Sequence, residues 1–170
     1  DDRLDIQTDI QSIGFGDRQV LSDLKTKTFR KSQFQTALSF AEEIEKTYPS
    51  AKITTAGHSL GESLAMYVAL KRGYANVGYN GPDIHNLISK EEIKYMQEHP
   101  EQFRNFRHKY DVIGNITGNT TQTAIFPYIY PAKDNWGDKL AYHNLSQWQF
   151  DENGRLVDLN GKRVTNLKVT

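Results

Sequence analysis

Apolar residues in the first third of the chain recur with the spacing of an amphipathic helix. Between about Ser32 and Tyr48 they fall three or four positions apart, which places them on one helical face. The apolar positions are Phe34, Ala37, Leu38, Ala41, Ile44 and Tyr48. Charged residues fill the opposite face, and Pro49 cannot continue a helix. The pattern predicts a helix that covers one side of the fold.

The middle of the chain alternates short β-branched stretches with longer helical ones. A strand at residues 53–56 leads directly into an apolar helix from Leu60 to Leu70, with Gly73 as its C-cap. A strand at 75–79, a helix from 89 to about 98 and a strand near 103–110 follow. This alternation predicts an α/β fold with a mainly parallel sheet and helices on both faces.

The last third of the chain has turn and hairpin signals. Residues 114–123 have the composition of a loop, and the two prolines in residues 126–131 confine that aromatic run to an edge strand or an extended segment. Asn153-Gly154 separates two short strand-like stretches, which predicts an antiparallel hairpin. We therefore divide the chain into a core at 1–145 and a hairpin at 146–170, which is an appendage or a link to a further domain.

Composition excludes several classes of function. The 21 Lys and Arg balance the 21 Asp and Glu, so no net charge steers the chain toward nucleic acid. Cysteine is absent, which excludes a cysteine nucleophile and a thiolate zinc site. No apolar run approaches the roughly 18 residues of a membrane-spanning helix. We predict neither a metal site nor a cofactor, since Asp134 and Asp138 alone offer too few oxygen ligands for a cation.

The most informative motif is Gly57-His58-Ser59-Leu60-Gly61, a G-x-S-x-G between a predicted strand and a predicted helix. In that context the serine occupies a sharp turn with its hydroxyl exposed above the sheet, as a nucleophile requires. We expect a side chain at either glycine to strike the neighbouring strand or helix. The alternative interpretation is a helix N-cap, which accounts for Ser59 but not for the paired glycines.

A serine nucleophile needs a histidine base and a carboxylate that orients it, in the chain order Ser, acid, His. Asp111 ends the third predicted strand, and His143 is the only histidine that follows it. Asp83 is the runner-up acid, whereas Asp134 and Asp138 are more simply solvated turn residues. The earlier histidines break the order and are interpreted as exposed or structural, and we expect the side chain of His58 to point away from that of Ser59.

These residues together resemble the fungal-type (class 3) lipases of the α/β-hydrolase fold. The resemblance spans roughly residues 4–145 and rests on four motifs and the late histidine: Leu4–Ile10, Gly57–Gly61, Tyr79–Pro82, Tyr110–Val112 and His143. It implies hydrolysis of carboxylic esters of lipids, as by a lipase or phospholipase A, through Ser59, Asp111 and His143. It also implies that the backbone N–H of Leu60 is an oxyanion donor and that the protein contacts membrane surfaces transiently.

The pattern is also similar to lipase-like effectors that Gram-positive bacteria export by type VII secretion. That similarity implies a secreted toxin with an immunity or chaperone protein as partner. In the lipase family, the first oxyanion donor lies on a strand before the matched segment, which would place it before Asp1. We therefore expect a core that lacks its N-terminal strands and is weakly active or inactive unless an upstream segment or a separate chain completes the sheet.

The substrate pocket is the least specific expectation. Ile84 and Leu87 follow the second strand, where lipases have caps, and we predict that they line an acyl groove. Neighbours that could join them are Ile88, Ile93, Met96, Phe126, Tyr128 and Tyr130, although ordinary core packing explains all of these residues equally well. Two rival functions stay open: an inactive binding or toxin module with the same fold, and an acyltransferase or peptidase with the same triad.

Overall fold

The structure is a computed structural model that describes residues 22–23, 28–29, 33–127, 129, 141–165 and 167–169. The predicted helices and strands of the middle of the chain are all present. In chain order the elements are β1 (Ser22–Asp23), β2 (Thr28–Phe29), α1 (Gln33–Thr47), β3 (Thr54–His58), α2 (Leu60–Arg72), β4 (Ala75–Tyr79), α3 (Lys90–Glu98), β5 (Phe103–Phe106), β6 (Ala124–Pro127), β7 (Gln149–Phe150), β8 (Leu156–Val157) and β9 (Leu167–Val169). Single turns of 3-10 helix occupy His85–Leu87, Ala141–His143 and Leu145–Gln147.

The main sheet has the order β3-β4-β5-β6-β9. Strands β3 to β6 are parallel, and β9 joins β6 in the antiparallel direction. The register pairs Gly57 with Gly78, and His58 with Tyr79. Parallel strands end at the same edge of a sheet, so the segments that follow β3, β4 and β5 begin side by side. The predicted α/β class with a mainly parallel sheet is therefore confirmed.

The described α-helices share one hydrophobic cluster against one face of the sheet. Its fully buried members include Met66 of α2, Met96 of α3 and Phe103 of β5, and Ala41 of α1 packs with them. Local signals explain the helix ends: Ser89 and Glu92 form a capping box at the start of α3, and Gly73 ends α2 with φ 74°.

The opposite face of the sheet packs against aromatic residues of the C-terminal segment. The rings of Tyr79 and Phe106 stack with centroids 5.8 Å apart, and Trp148 lies 5.4 Å from Tyr79 and 6.2 Å from Phe106. Phe150 of β7 adds an edge contact to Tyr79 at 5.9 Å. The expected second layer of helices is thus not found in the described ranges, where aromatic side chains of the C-terminal segment pack on this face.

The predicted C-terminal hairpin is present as β7 and β8, which pair in the antiparallel direction. The last strand, β9, joins the main sheet, where Leu167 pairs with Pro127. The expectation of an edge strand or isolated extended segment at Phe126-Pro127 is therefore wrong, since β6 has a partner on each side. Proline is tolerated there because it is the last residue of β6, beyond the two residues that pair with β5.

A carboxyl group lies buried beneath the turn that joins β3 to α2. Glu62, in the first turn of α2, is fully buried, and its carboxyl occupies space that a side chain at Gly78 would fill. Asn76 Nδ2 donates to its Oε2 at 3.3 Å, while Oε1 has no hydrogen-bond partner in the described structure. Burial raises the pKa of Glu62 well above its usual value, although the hydrogen bond from Asn76 and the charge of Arg107 oppose the shift.

We expect Glu62→Gln to remove part of the pH dependence of stability. With the pKa raised in the folded state, Glu62 does not destabilise the fold below the unfolded pKa, and destabilises it increasingly as the pH rises above that value. The variant should match the parent near pH 4 and be more stable at pH 8, with a difference that grows by up to about 1.4 kcal/mol per pH unit. Denaturant unfolding across this pH range measures the difference.

The matched control for this prediction is Glu152→Gln, at an exposed position in the turn between β7 and β8. That substitution should leave the pH dependence of unfolding as it is in the parent. If Glu62→Gln and the parent showed parallel curves from pH 4 to pH 8, the raised pKa of Glu62 would be wrong.

Candidate active site

The turn between β3 and α2 holds Ser59 in an unusual backbone conformation. Ser59 has φ 58° and ψ −133°, which non-glycine residues rarely adopt. Its N–H donates to the Tyr79 carbonyl at 3.0 Å, and its own carbonyl accepts from Glu62 N at 3.0 Å. The neighbouring strand and the first turn of α2 therefore hold Ser59 from both sides. Its side chain makes no capping hydrogen bond, so the N-cap interpretation does not explain the hydroxyl.

The two glycines of the motif have different roles. A Cβ at Gly57 would lie 2.4 Å from the Gly61 carbonyl oxygen and 2.5 Å from Glu62 N, both of which are backbone atoms. A Cβ at Gly61 would have no heavy atom within 4 Å. The steric expectation therefore holds for Gly57 and is wrong for Gly61, because Gly61 is exposed on α2 and its Cβ would face open space.

Ser59, His143 and Asp111 meet above the carboxyl end of the sheet. Ser59 Oγ lies 2.7 Å from His143 Nε2, and His143 Nδ1 lies 3.0 Å and 2.9 Å from the two carboxyl oxygens of Asp111. A carboxylate beside Nδ1 favours the tautomer with its hydrogen on that nitrogen, which leaves Nε2 to accept a proton from the serine. Asp111 is fully buried and the His143 side chain is 13% exposed, so the pair has little contact with water.

Asp111 lies in a loop beyond its predicted position at the end of a strand. β5 ends at Phe106, and Arg107 to Lys109 lead into a series of turns. Asn115 stabilises this loop by donating to the carbonyls of His108 at 3.0 Å and Asp111 at 2.7 Å. Ile113 N donates to Asp111 Oδ1 at 3.0 Å, and this contact fixes the carboxyl group with both of its oxygens close to His143 Nδ1.

Asp83 has partners of its own and does not contact His143. Its Oδ2 accepts from the hydroxyl of Thr121 at 2.7 Å, and its Oδ1 lies 3.0 Å from His85 Nδ1. The side chain is fully buried, and its hydrogen bond with Thr121 connects the segment after β4 to the segment before β6. The geometry therefore favours Asp111 over this runner-up. Asp134 and Asp138 lie outside the described residues.

Two histidines near the site have structural partners. His108 is almost fully buried, and its ring stacks on that of Tyr142 at 4.5 Å. The ring of His58 lies 4.9 Å from that of His143, and its Nε2 lies 2.7 Å from the His143 carbonyl oxygen. Burial lowers the pKa of both His58 and His108, which favours neutral rings beside the triad. Of the two interpretations of His58, exposed or structural, the contacts with His143 favour the structural one.

Leu60 is the first residue of α2. The first N–H groups of a helix have no acceptor within the helix and point to its positive end. Because Leu60 directly follows Ser59, its N–H is available to an oxygen atom bound at the serine. The N–H of Leu60 as an oxyanion donor stays a prediction.

Ile84 and Leu87 do not line a groove as expected. Ile84 is fully buried in the hydrophobic cluster, and the partly buried Leu87 packs against the same cluster. Ile88 and Met96 are buried members of this cluster as well, and Ile93 packs against it. These residues form core, so the substrate-binding prediction for them is not supported. Tyr128 and Tyr130 lie outside the described residues.

One residue of the site was missed by sequence reasoning. Asn80 follows β4, is fully buried and has φ 54°. Its Nδ2 donates to the carbonyls of Tyr142 at 3.2 Å and His143 at 3.3 Å, and its Oδ1 accepts from His108 N at 3.0 Å. Asn80 thus connects the loop that contains Asp111 to the segment that contains His143. An asparagine before Gly81-Pro82 signals only a turn, so no local pattern reveals this role.

Comparison of the chain with protein-family models, with curated proteins and with solved structures gives no match. The resemblance to lipases therefore rests on the quoted motifs and remains a prediction. None of the helices in the described ranges is both long and apolar enough to cross a bilayer. What can be said of function depends on the geometry of the site.

The two glycines provide a matched pair of substitutions. Gly57→Ala should lower the free energy of unfolding by about 3 kcal/mol, since overpacking against a rigid backbone cannot relax. Gly61→Ala should leave stability unchanged or raise it by up to about 1 kcal/mol, because alanine favours helix over glycine and no atom obstructs its methyl group. Urea unfolding of both variants measures the difference. Equal losses at the two positions would contradict the described turn.

Proposed function

We propose that the protein is a serine hydrolase that cleaves carboxylic esters of lipids. The observation that carries this proposal is the unbroken series of hydrogen-bond distances from Ser59 through His143 to Asp111. These residue types at these distances make a serine hydroxyl nucleophilic at neutral pH. The same three residues are far apart in the sequence, so no local packing requirement brings them together.

The proposed reaction has two steps. Ser59 Oγ attacks the ester carbonyl while its proton passes to His143 Nε2, and Asp111 stabilises the imidazolium that forms. The negative charge on the tetrahedral oxygen is stabilised by the N–H of Leu60 at the start of α2. His143 then gives the proton to the leaving alcohol, and an acyl-serine remains. Water attacks the acyl-serine with His143 as base, which releases the acid and restores Ser59.

An apolar acyl substrate is supported by exposed hydrophobic side chains in the segments that carry Asp111 and His143. Val112 is 51% exposed next to Asp111, Ile116 is 58% exposed in the same loop, and Leu145 is 50% exposed two residues after His143. Exposed apolar side chains that cluster around a reactive centre are typical of a site for apolar ligands. We call these three residues the apolar rim. Export from the cell is part of the proposal, and its support is the resemblance to type VII effectors.

A fluorophosphonate probe tests the nucleophile directly, because it reacts only with an activated serine. We expect the parent protein to be labelled at Ser59 and Ser59→Ala to show no labelling, with peptide mass spectrometry to locate the adduct. Ser63→Ala is the control, since Ser63 Oγ is buried and donates to the Pro82 carbonyl. A folded parent protein that is not labelled would contradict the proposal.

The same assay distinguishes between the two candidate acids, Asp111 and Asp83. Asp111→Asn should lower the labelling rate per folded molecule by about 10³–10⁴, because the histidine loses the group that orients it. Asp83→Asn should reduce the rate far less, because Asp83 contacts Thr121 and not His143. Circular dichroism gives the folded fraction of each variant. A larger loss for Asp83→Asn would assign the acid to the runner-up.

The apolar rim makes a separate prediction about the substrate. Val112→Ser combined with Ile116→Ser should reduce hydrolysis of a long-chain ester in vesicles by at least tenfold and leave a soluble acetyl ester within about twofold, since each buried side chain contributes about 1.5–3 kcal/mol. Phe40→Ser is the control, as Phe40 is equally exposed but lies on α1. Equal losses on both esters would contradict an apolar acyl site.

A further inference from the structure

The loop that carries His143 is held by its backbone as well as by its imidazole. The His143 carbonyl oxygen lies 2.7 Å from His58 Nε2 and 3.3 Å from Asn80 Nδ2. His58 is the last residue of β3, and Asn80 directly follows β4. Side chains at the ends of two neighbouring strands therefore bind one carbonyl group of the proposed base.

His58 is well placed to act through this contact. It directly precedes Ser59, so one short piece of backbone carries both the proposed nucleophile and the donor to the base. A side chain added at Gly57 would point at α2. Because side chains alternate along a strand, His58 lies on the opposite face, with His143. The rings of His58 and His143 lie 4.9 Å apart at an angle of 39°.

The hydrogen bond defines the tautomer of His58. A carbonyl oxygen can only accept, so His58 Nε2 must carry a hydrogen. His58 is partly buried, and the packing of its ring against that of His143 leaves little freedom to either. His58 and Ser59, which are adjacent in the chain, therefore both contact His143. Ser59 Oγ lies beside the imidazole of His143, and His58 Nε2 binds its carbonyl oxygen.

We propose that His58 is a positioning residue, whose hydrogen bond to the His143 carbonyl sets the distance between His143 Nε2 and Ser59 Oγ. The inference rests on the proposed function and deepens it, since it assigns a role to a residue that takes no proton from the substrate. Asn80 shares the carbonyl, but it also binds the loop of the acid at His108 N, so its removal would disturb more than one element. His58 is therefore the residue to test.

The expected effect is on the chemical step. A displacement of about 1 Å between reacting groups can reduce a rate by about 10²-fold. His58→Leu should lower kcat by between tenfold and a hundredfold and leave KM within about twofold, because His58 binds backbone and not the ester. His58→Gln should restore most of kcat, since its side-chain amide places a donor near the position of Nε2.

Ester turnover by the full chain measures these parameters. The matched control is His99→Leu, because His99 Nδ1 also lies 2.7 Å from a carbonyl oxygen, that of Tyr95, and its ring stacks on the Tyr95 ring at 4.0 Å. His99→Leu should leave kcat and KM unchanged. A loss in His58→Leu that glutamine does not restore, or an equal loss in His99→Leu, would overturn the proposal.

A second measurement needs no turnover, so it separates this inference from the proposed function. The hydrogen between His143 Nδ1 and Asp111 gives a downfield proton resonance when the ring is held in place, and His143→Ala assigns the signal. We expect the resonance to persist in His58→Gln and His99→Leu and to broaden or vanish in His58→Leu. An unchanged resonance in His58→Leu would overturn the positioning role even in an active enzyme. Its selective loss in a protein without esterase activity would support positioning and refute only the hydrolase.

Discussion

The conformation of Ser59 is the constraint on which the rest of the site depends. A positive φ at a residue with a side chain is unfavourable, and it persists only where the surroundings hold it. Here the Tyr79 carbonyl holds the Ser59 N–H, and α2 begins at once on the other side. The close approach of α2 to β3 in turn requires that residue 57 be glycine. The start of α2 and the conformation of Ser59 are therefore linked in one turn.

The loops around this turn are fixed by polar side chains that reach across the ends of the strands. Asn80 binds the backbone on both sides of the site, and Asn115 draws together the loop that carries Asp111. Each replaces hydrogen bonds that the loop backbone would otherwise make to water, which a buried segment cannot do. The three reactive side chains thus need few contacts with one another to remain in place. Their support comes from the carbonyls and amides behind them.

The helices near the turn between β3 and α2 could be predicted from the sequence because their signals are local. The helical spacing in α1, the Gly73 cap of α2 and the capping box of α3 all act within a few residues. Ile84 and Leu87 were misplaced because an apolar side chain looks the same in a core and in a groove, and only packing decides between them. The contacts of His58 and Asn80 with the His143 carbonyl could not be predicted, because they join residues more than sixty positions apart. The aromatic layer on the second face depends on contacts of the same long range.

The order of strands in the main sheet has a consequence for folding during synthesis on the ribosome. Each parallel strand pairs with the one made just before it, so the sheet can grow outward as the chain emerges. The serine turn is made before the histidine, which follows more than eighty residues later in the chain. Ser59 therefore has no imidazole beside it until the chain around residue 143 has been made and docks against the ends of β3 and β4. The hydrogen-bonded group of Ser59, His143 and Asp111 can form only after all four parallel strands have been made.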